Sequence, residues 1–131
     1  MAPPWNVTSA CDGAVHSLDS FHTTEPTMIL EVADIRIPPG KNAEFEAAIG
    51  QGLATVIAPR AKGYIAHKVQ RGIESPERYL LMIWWQTLEN HTVDFRQGTL
   101  FAEWRGFIGP FLAVPPHVEH FELAFESGWP R

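Results

Sequence analysis

The sequence contains a single cysteine, Cys11, among 131 residues. One thiol excludes an internal disulfide and any cysteine-rich metal site, and it fits a reducing compartment. Charge is sparse at 19% of residues, and the 15 acids outnumber the 10 bases. With no basic surplus to neutralise phosphates, neither nucleic acid nor an anionic membrane surface is expected as a partner. No apolar run approaches the ~18 residues of a membrane span. No Lys or Arg precedes Arg36, so the N-terminus resembles neither a signal peptide nor an Arg-rich transit peptide. A cytoplasmic location is the expectation. What the chain does have is a 45% apolar composition with five Trp and eight Phe. A chain of this length is one domain and buries roughly two thirds of its unfolded surface, enough for a core without staples.

Residues 1–27 are rich in Ser, Thr and Pro, carry three acids and no base, and show neither strand nor helix periodicity. They read as an N-terminal extension, loop or partly disordered. From Met28 the pattern sharpens. Ile29 to Ile37 reads as a strand with Ile29, Ala33, Ile35 and Ile37 on one face, ended by Pro38-Pro39-Gly40. Asn42 is a candidate helix cap, and Phe45, Ala48, Ile49, Leu53, Val56 and Ile57 form an amphipathic stripe that Pro59 stops. Gly50 and Gly52 within it either weaken the helix or permit close packing. Tyr64 to Arg71 and Arg78 to Gln86 read as strands joined by a turn at Glu74-Ser75-Pro76-Glu77. Thr87 caps a second helix that breaks at Gly98 and restarts at Thr99, and Val118 to Phe125 is a last strand. Residues 126–131 form a C-terminal tail.

The order β-α-β-β-α-β points to a ferredoxin-like α+β fold: a four-stranded antiparallel sheet with both helices on one face. The third strand, RYLLMIWWQ, is apolar on both faces. Helices cover one face only, so the other needs a cover, and a second copy of the sheet supplies it as a two-fold homodimer.

Several stretches together are familiar. They are Met28-Ile29-Leu30-Glu31-Val32, Pro39-Gly40, Gly63-Tyr64 with His67, Arg78-Tyr79-Leu80-Leu81 running to Trp85 and His91, and Trp104 with Pro110 and Val118-Glu119-His120-Phe121. In order and spacing residues 28–125 resemble the antibiotic biosynthesis monooxygenase (ABM) family of the dimeric α/β-barrel superfamily. The resemblance implies a dimeric α+β barrel and, for some members, oxidation of anthrones and quinols by O₂ without a cofactor. In the anthrone oxygenases of this family a Trp ends the third strand, a proton-relay residue follows on the helix, and an Arg lies further along. Trp85, His91 and Arg105 would be their counterparts. The relay residue in the best-known members is Tyr, so His91 is a departure. Haem-degrading relatives carry an Asn on the first strand where Ala33 falls here, and of their signature residues only Trp85 matches.

The residues support candidate roles of their own. A neutral His takes or gives a proton near pH 7, which makes His91 and His67 candidate acid/base groups. His91 also reads as a capping or dimer-contact residue, and His67 as a core histidine. Trp85, Trp104, Phe95, Phe101, Tyr79 and His120 are candidates to line a substrate pocket, the aromatic ones doubling as core. No HxH, HxxxH or HExxH pattern is present, and His117 and His120, three apart on a strand, face opposite ways, so no metal site is expected. The expected function is a cofactor-independent monooxygenase taking O₂ and a small aromatic phenol, quinol or anthrone. The alternatives are a lyase or dehydrohalogenase on a substituted aromatic, and a non-catalytic small-molecule-binding dimer.

Overall fold

The computed structural model describes residues 28–128. The expected N-terminal extension and the last three residues lie outside them.

β1 (Ile29–Arg36) buries Ala33 and Ile35 on one face, together with Glu31, which falls on the same alternation. β2 (Tyr64–Arg71) and β3 (Arg78–Trp85) follow, and β4 (His117–Glu122) closes the sheet in the order β2-β3-β1-β4. Each pairing is antiparallel. β1 and β3 occupy the centre, and their inward faces carry Ile35, Tyr79, Leu81, Ile83 and Trp85 at 2% exposure or less. Each such side chain contributes about 1.5–3 kcal/mol by leaving water, so these two strands anchor the core.

Both helices cover that inward face. α1 (Asn42–Gly52) runs on through a π-helical turn, Leu53–Ile57, into a last turn at Ala58–Arg60. Its stripe is as the sequence indicates: Phe45, Ile49, Leu53, Val56 and Ile57 are buried. Pro59 lies inside the last turn rather than beyond it. A proline ring clashes with the carbonyl four residues back in a regular α-helix, and the wider π turn ahead of Pro59 removes that clash. α2 (Leu100–Ile108) buries Trp104 and Ile108. It crosses α1 at Gly52, where an added Cβ would lie 3.0 Å from two Trp104 ring carbons. Gly52 therefore serves close packing. No helix among the described residues is long and apolar enough to cross a membrane.

Two local expectations are corrected. Asn42 does not cap α1: the N-cap residue is Lys41, with no side-chain bond, and the Asn42 amide instead donates to Pro76 O at 2.8 Å and Tyr79 Oη at 2.7 Å, tying the helix start to the β2–β3 turn. The last strand stops at Glu122, opposite Ile29, where strand β1 begins. A β-bulge between Tyr64 and Ala66 shifts the register of β2. Tyr64 and His67, three apart, then share a face, and the Tyr64 hydroxyl reaches His67 Nδ1 at 2.7 Å. The Thr87 cap holds: its Oγ1 accepts from the Asn90 N–H at 3.1 Å while its own N–H donates to Asn90 Oδ1 at 3.0 Å.

Candidate active site

A cavity of about 230 Å³ lies between the inward face of the sheet and the second helical segment. β1 and β3 floor it with Ala33, Ile35, Leu81 and Ile83; Phe95, Phe101 and Trp104 supply aromatic walls; Arg96 and Arg105 also line it. The lone carboxylate of the lining is Glu31.

Glu31 is 6% exposed. The Trp85 indole N–H donates to its Oε1 at 3.0 Å. His91 Nε2 lies 3.4 Å from the same oxygen, long for a hydrogen bond. Oε2 has no hydrogen-bond partner among the described residues and belongs to a side chain lining the cavity. Burial pushes the carboxyl up from 4.5 to about 7, against the lowering effects of the Trp85 hydrogen bond and the Arg96 charge. A carboxyl near 7 is matched to proton abstraction at neutral pH.

His91 continues the chain of polar contacts. Its Nδ1 lies 2.8 Å from His120 Nε2. Its ring stacks on Trp85 at 5.4 Å between centroids and on Phe95 at 6.0 Å. Burial, with the charges of Arg96 and His120, lowers it from 6.5 to about 4. The imidazole is therefore neutral at pH 7, with one nitrogen donating and the other accepting. Burial also lowers His120, with a smaller contribution from Arg96. His91 occupies a π-helical turn, Asn90–Phe95, closed by the Arg96 N–H on His91 O at 2.9 Å. Gly63 positions the start of this turn: it has φ +82°, and a Cβ there would collide with Asn90.

Of the residues singled out in the sequence, His91, Arg105, Phe95, Phe101 and Trp104 converge on this cavity. Trp85 and His120 stand behind it, holding Glu31 and His91. His67 and Tyr79 do not join it: they border a second, open cavity beside α1. There the Tyr79 hydroxyl donates to Glu46 Oε2 at 2.6 Å and accepts from Asn42. Arg71 pairs with the same Glu46 at 2.9 Å, the surface ion pair its place at a strand end suggests. Glu31 and Arg96 were not among the candidates, yet the alternation Ile29-x-x-x-Ala33-x-Ile35 already places Glu31 on the apolar face. A carboxylate in a buried register is a signal in itself. Among the described residues no three His, Cys, Asp or Glu are grouped to hold a metal ion; Glu31, His91 and His120 follow one another in a line.

The profile of the antibiotic biosynthesis monooxygenase (ABM) family matches residues 28–106. The chain belongs to the ABM family. A curated ABM-sized relative, the uncharacterized protein YczJ of Bacillus subtilis, is 39% identical over 95 residues, which is 72% of this chain and 98% of that protein. A crystal structure from Bordetella bronchiseptica, named as a putative antibiotic biosynthesis monooxygenase, is 41% identical with a TM-score of 0.71, covering 76% of this chain and 99% of that one. A Caulobacter crescentus structure of the same description shares the fold at 23% identity and a TM-score of 0.63, covering 80% of this chain and 99% of that one. ABM membership and the Bordetella structure support a monooxygenase-type function in general terms, and the ferredoxin-like α+β architecture agrees with the family.

Proposed function

We propose that the protein is a cofactor-independent monooxygenase that uses O₂ to oxidise a small phenol or quinol bound in the 230 Å³ cavity. The observation that carries this reading is a buried carboxylate, poised near neutrality, that lines an aromatic-walled cavity with a histidine pair behind it. Size narrows the substrate. An apolar cavity of about 150 Å³ takes benzene, so this one suits one substituted ring or two fused rings better than a three-ring anthrone.

Glu31 Oε2 accepts the phenolic proton. The electron-rich phenolate passes one electron to O₂, and the substrate radical and superoxide combine to form a C–O bond. Protonation of the peroxide and loss of water leave a carbonyl. The substrate gains one oxygen and loses two hydrogens, the second oxygen leaves as water, and both electrons beyond those of the new bond come from the substrate. Glu31 returns the phenolic proton to the peroxide, and with the ring hydrogen it leaves in the water, so no net proton is released; His91 and His120, in line behind Glu31, exchange protons with it between turnovers. Trp85 fixes the carboxylate, and the aromatic walls exclude water and orient the ring.

The oligomer is part of this reading. Leu30, Val32, Leu80, Met82, Trp84 and Phe121 alternate with the buried residues and so share the helix-free face of the sheet. Phe121 is 47% exposed, and an apolar groove on this face is lined by Leu30, Trp84 and Phe121. A second copy of the sheet fits this surface and gives a homodimer.

Oxygen consumption with a panel of phenols and quinols tests the reaction, read against autoxidation without protein. One O₂ consumed per quinone formed is the expected result. Product formation at the same rate without O₂ would assign the protein to lyase or dehydrohalogenase chemistry. Bound but unchanged quinol would mark a binding dimer.

A further inference from the structure

Among the described residues there are six arginines, and four are paired. Arg36 and Arg78 meet Asp34 at 3.1 and 2.9 Å, Arg60 meets Glu103 at 2.8 Å, and Arg71 meets Glu46 at 2.9 Å. The remaining two, Arg96 and Arg105, both line the cavity. Neither forms an ion pair within 4.0 Å among the described residues. Instead both guanidinium groups rest over the Phe101 ring, each 5.8 Å from its centroid. The acids near them in sequence are committed elsewhere: Asp94 accepts from the Asn90 amide at 3.1 Å, and Glu103 accepts both Arg60 nitrogens. In a chain of net charge −5, two cations that form no ion pair among the described residues stand over one aromatic ring of one cavity, and the charge of Arg96 also reaches Glu31. Such an arrangement focuses positive potential there and steers anions toward it.

We infer that the cavity takes a phenol or quinol bearing a carboxylate, and that Arg96 and Arg105 hold this carboxylate beside Phe101. The inference rests on the reading of the cavity as a substrate site and adds the charge of the substrate. A guanidinium presents its N–H groups as a planar fork that matches a carboxylate. The same charges repel cationic rings and leave neutral ones without an anchor. Glu31 lines the same cavity. An anionic group avoids its carboxylate, so the two arginines also orient the ring with its hydroxyl toward Glu31.

Calorimetric titration of the full chain with 1-hydroxy-2-naphthoate and with 1-naphthol tests this. Neither compound needs to react. The carboxylate should bind about tenfold or more tightly than the neutral ring, and added salt should erode the difference. The double variant Arg96→Gln/Arg105→Gln should bring the ratio to about one while leaving 1-naphthol affinity within about twofold, and each single variant should reduce the ratio in part. Arg36→Gln, remote from the cavity, should leave it unchanged. Equal affinities in the native protein, a ratio that survives the double variant, or no binding of either compound would each overturn the inference. The oxygen assay reports separately. An arginine-dependent carboxylate preference without O₂ consumption would defeat the oxygenase reading and leave the anion site standing.

Discussion

Glu31 and Trp85 are diagonal neighbours across β1 and β3, two residues out of direct register, and the Trp85 indole N–H ends on Glu31 Oε1 at 3.0 Å. Diagonal pairs on one sheet face lie within reach of long side chains. The pairing engages one carboxylate oxygen of a residue that lines the cavity.

Glu31→Gln keeps the indole bond and removes the base. Turnover should fall by about 10²–10⁴. In the native protein kcat/KM should rise with pH through an apparent pKa near 7, where burial places Glu31, and the variant should lose this rise. A native profile rising instead near 4, where burial places His91, would move the base to the imidazole.

Stability against pH gives an independent reading of the same pair. Between pH ~4.5 and ~6.5 the unfolded pair holds one proton, as ionised Glu31 and protonated His91. The folded pair also holds one, as neutral Glu31 and neutral His91. Proton counts match, so the pair adds no slope. In Glu31→Gln the unfolded His91 binds a proton that the folded one does not. Relative to the native protein, stability should then rise from about pH 4 to 6.5, by on the order of 2 kcal/mol after solvent screening. In His91→Phe the folded Glu31 keeps a proton that the unfolded one loses. Stability should then fall from about pH 4.5 to 7, by about 3 kcal/mol. Urea unfolding at stepped pH measures both, and two variants with the native slope would show that the pair is not buried as described.

His91→Ala should lower kcat by about 10², with partial rescue by added imidazole. His67→Ala should leave kcat within about twofold, since His67 borders the other cavity. A dead His67 variant alongside an active His91 variant would place the chemistry beside α1.

Met82 faces away from the helices, whereas Leu81 is 2% exposed beneath them. Met82→Asp should therefore give a folded monomer in sedimentation experiments. Leu81→Asp should unfold the chain, since an unpaired carboxylate in the core costs several kcal/mol. A Met82→Asp protein that remains dimeric would put the interface elsewhere.

Gly63→Ala should destabilise the fold by about 2 kcal/mol or more, through a positive φ and the collision with Asn90. Because Asn90 precedes His91, turnover should fall with it. A native melting temperature would show that Asn90 moves aside freely.

The fold was legible because it follows from periods of 2 and 3.6, which depend on side-chain polarity alone. Trp85 and His91 drew notice through the family resemblance and their places at a strand end and a helix start, and Phe101 and Trp104 through the apolar stripe of the second helix. Glu31 was not, because a single acid within an apolar strand looks like an outward-facing residue until the faces are counted. The bulge at Tyr64–Ala66 and the two π-helical turns escaped for another reason. Each adds a residue to the local period, and their hydrogen bonds leave no pattern of polarity in the chain. The open second cavity collected His67 and Tyr79 because strand proximity in sequence does not tell which end of a sheet a side chain serves.

His120 touches His91 without lining the cavity. Under the proposed reaction the protein thus has two separate doors. A substrate seated against Phe101 fills one of them, and a proton can still leave through the other, along His91 to the partly exposed edge strand. Sealing the reaction from water and ionising Glu31 before it need not compete. A substrate large enough to plug the entrance would then still turn over.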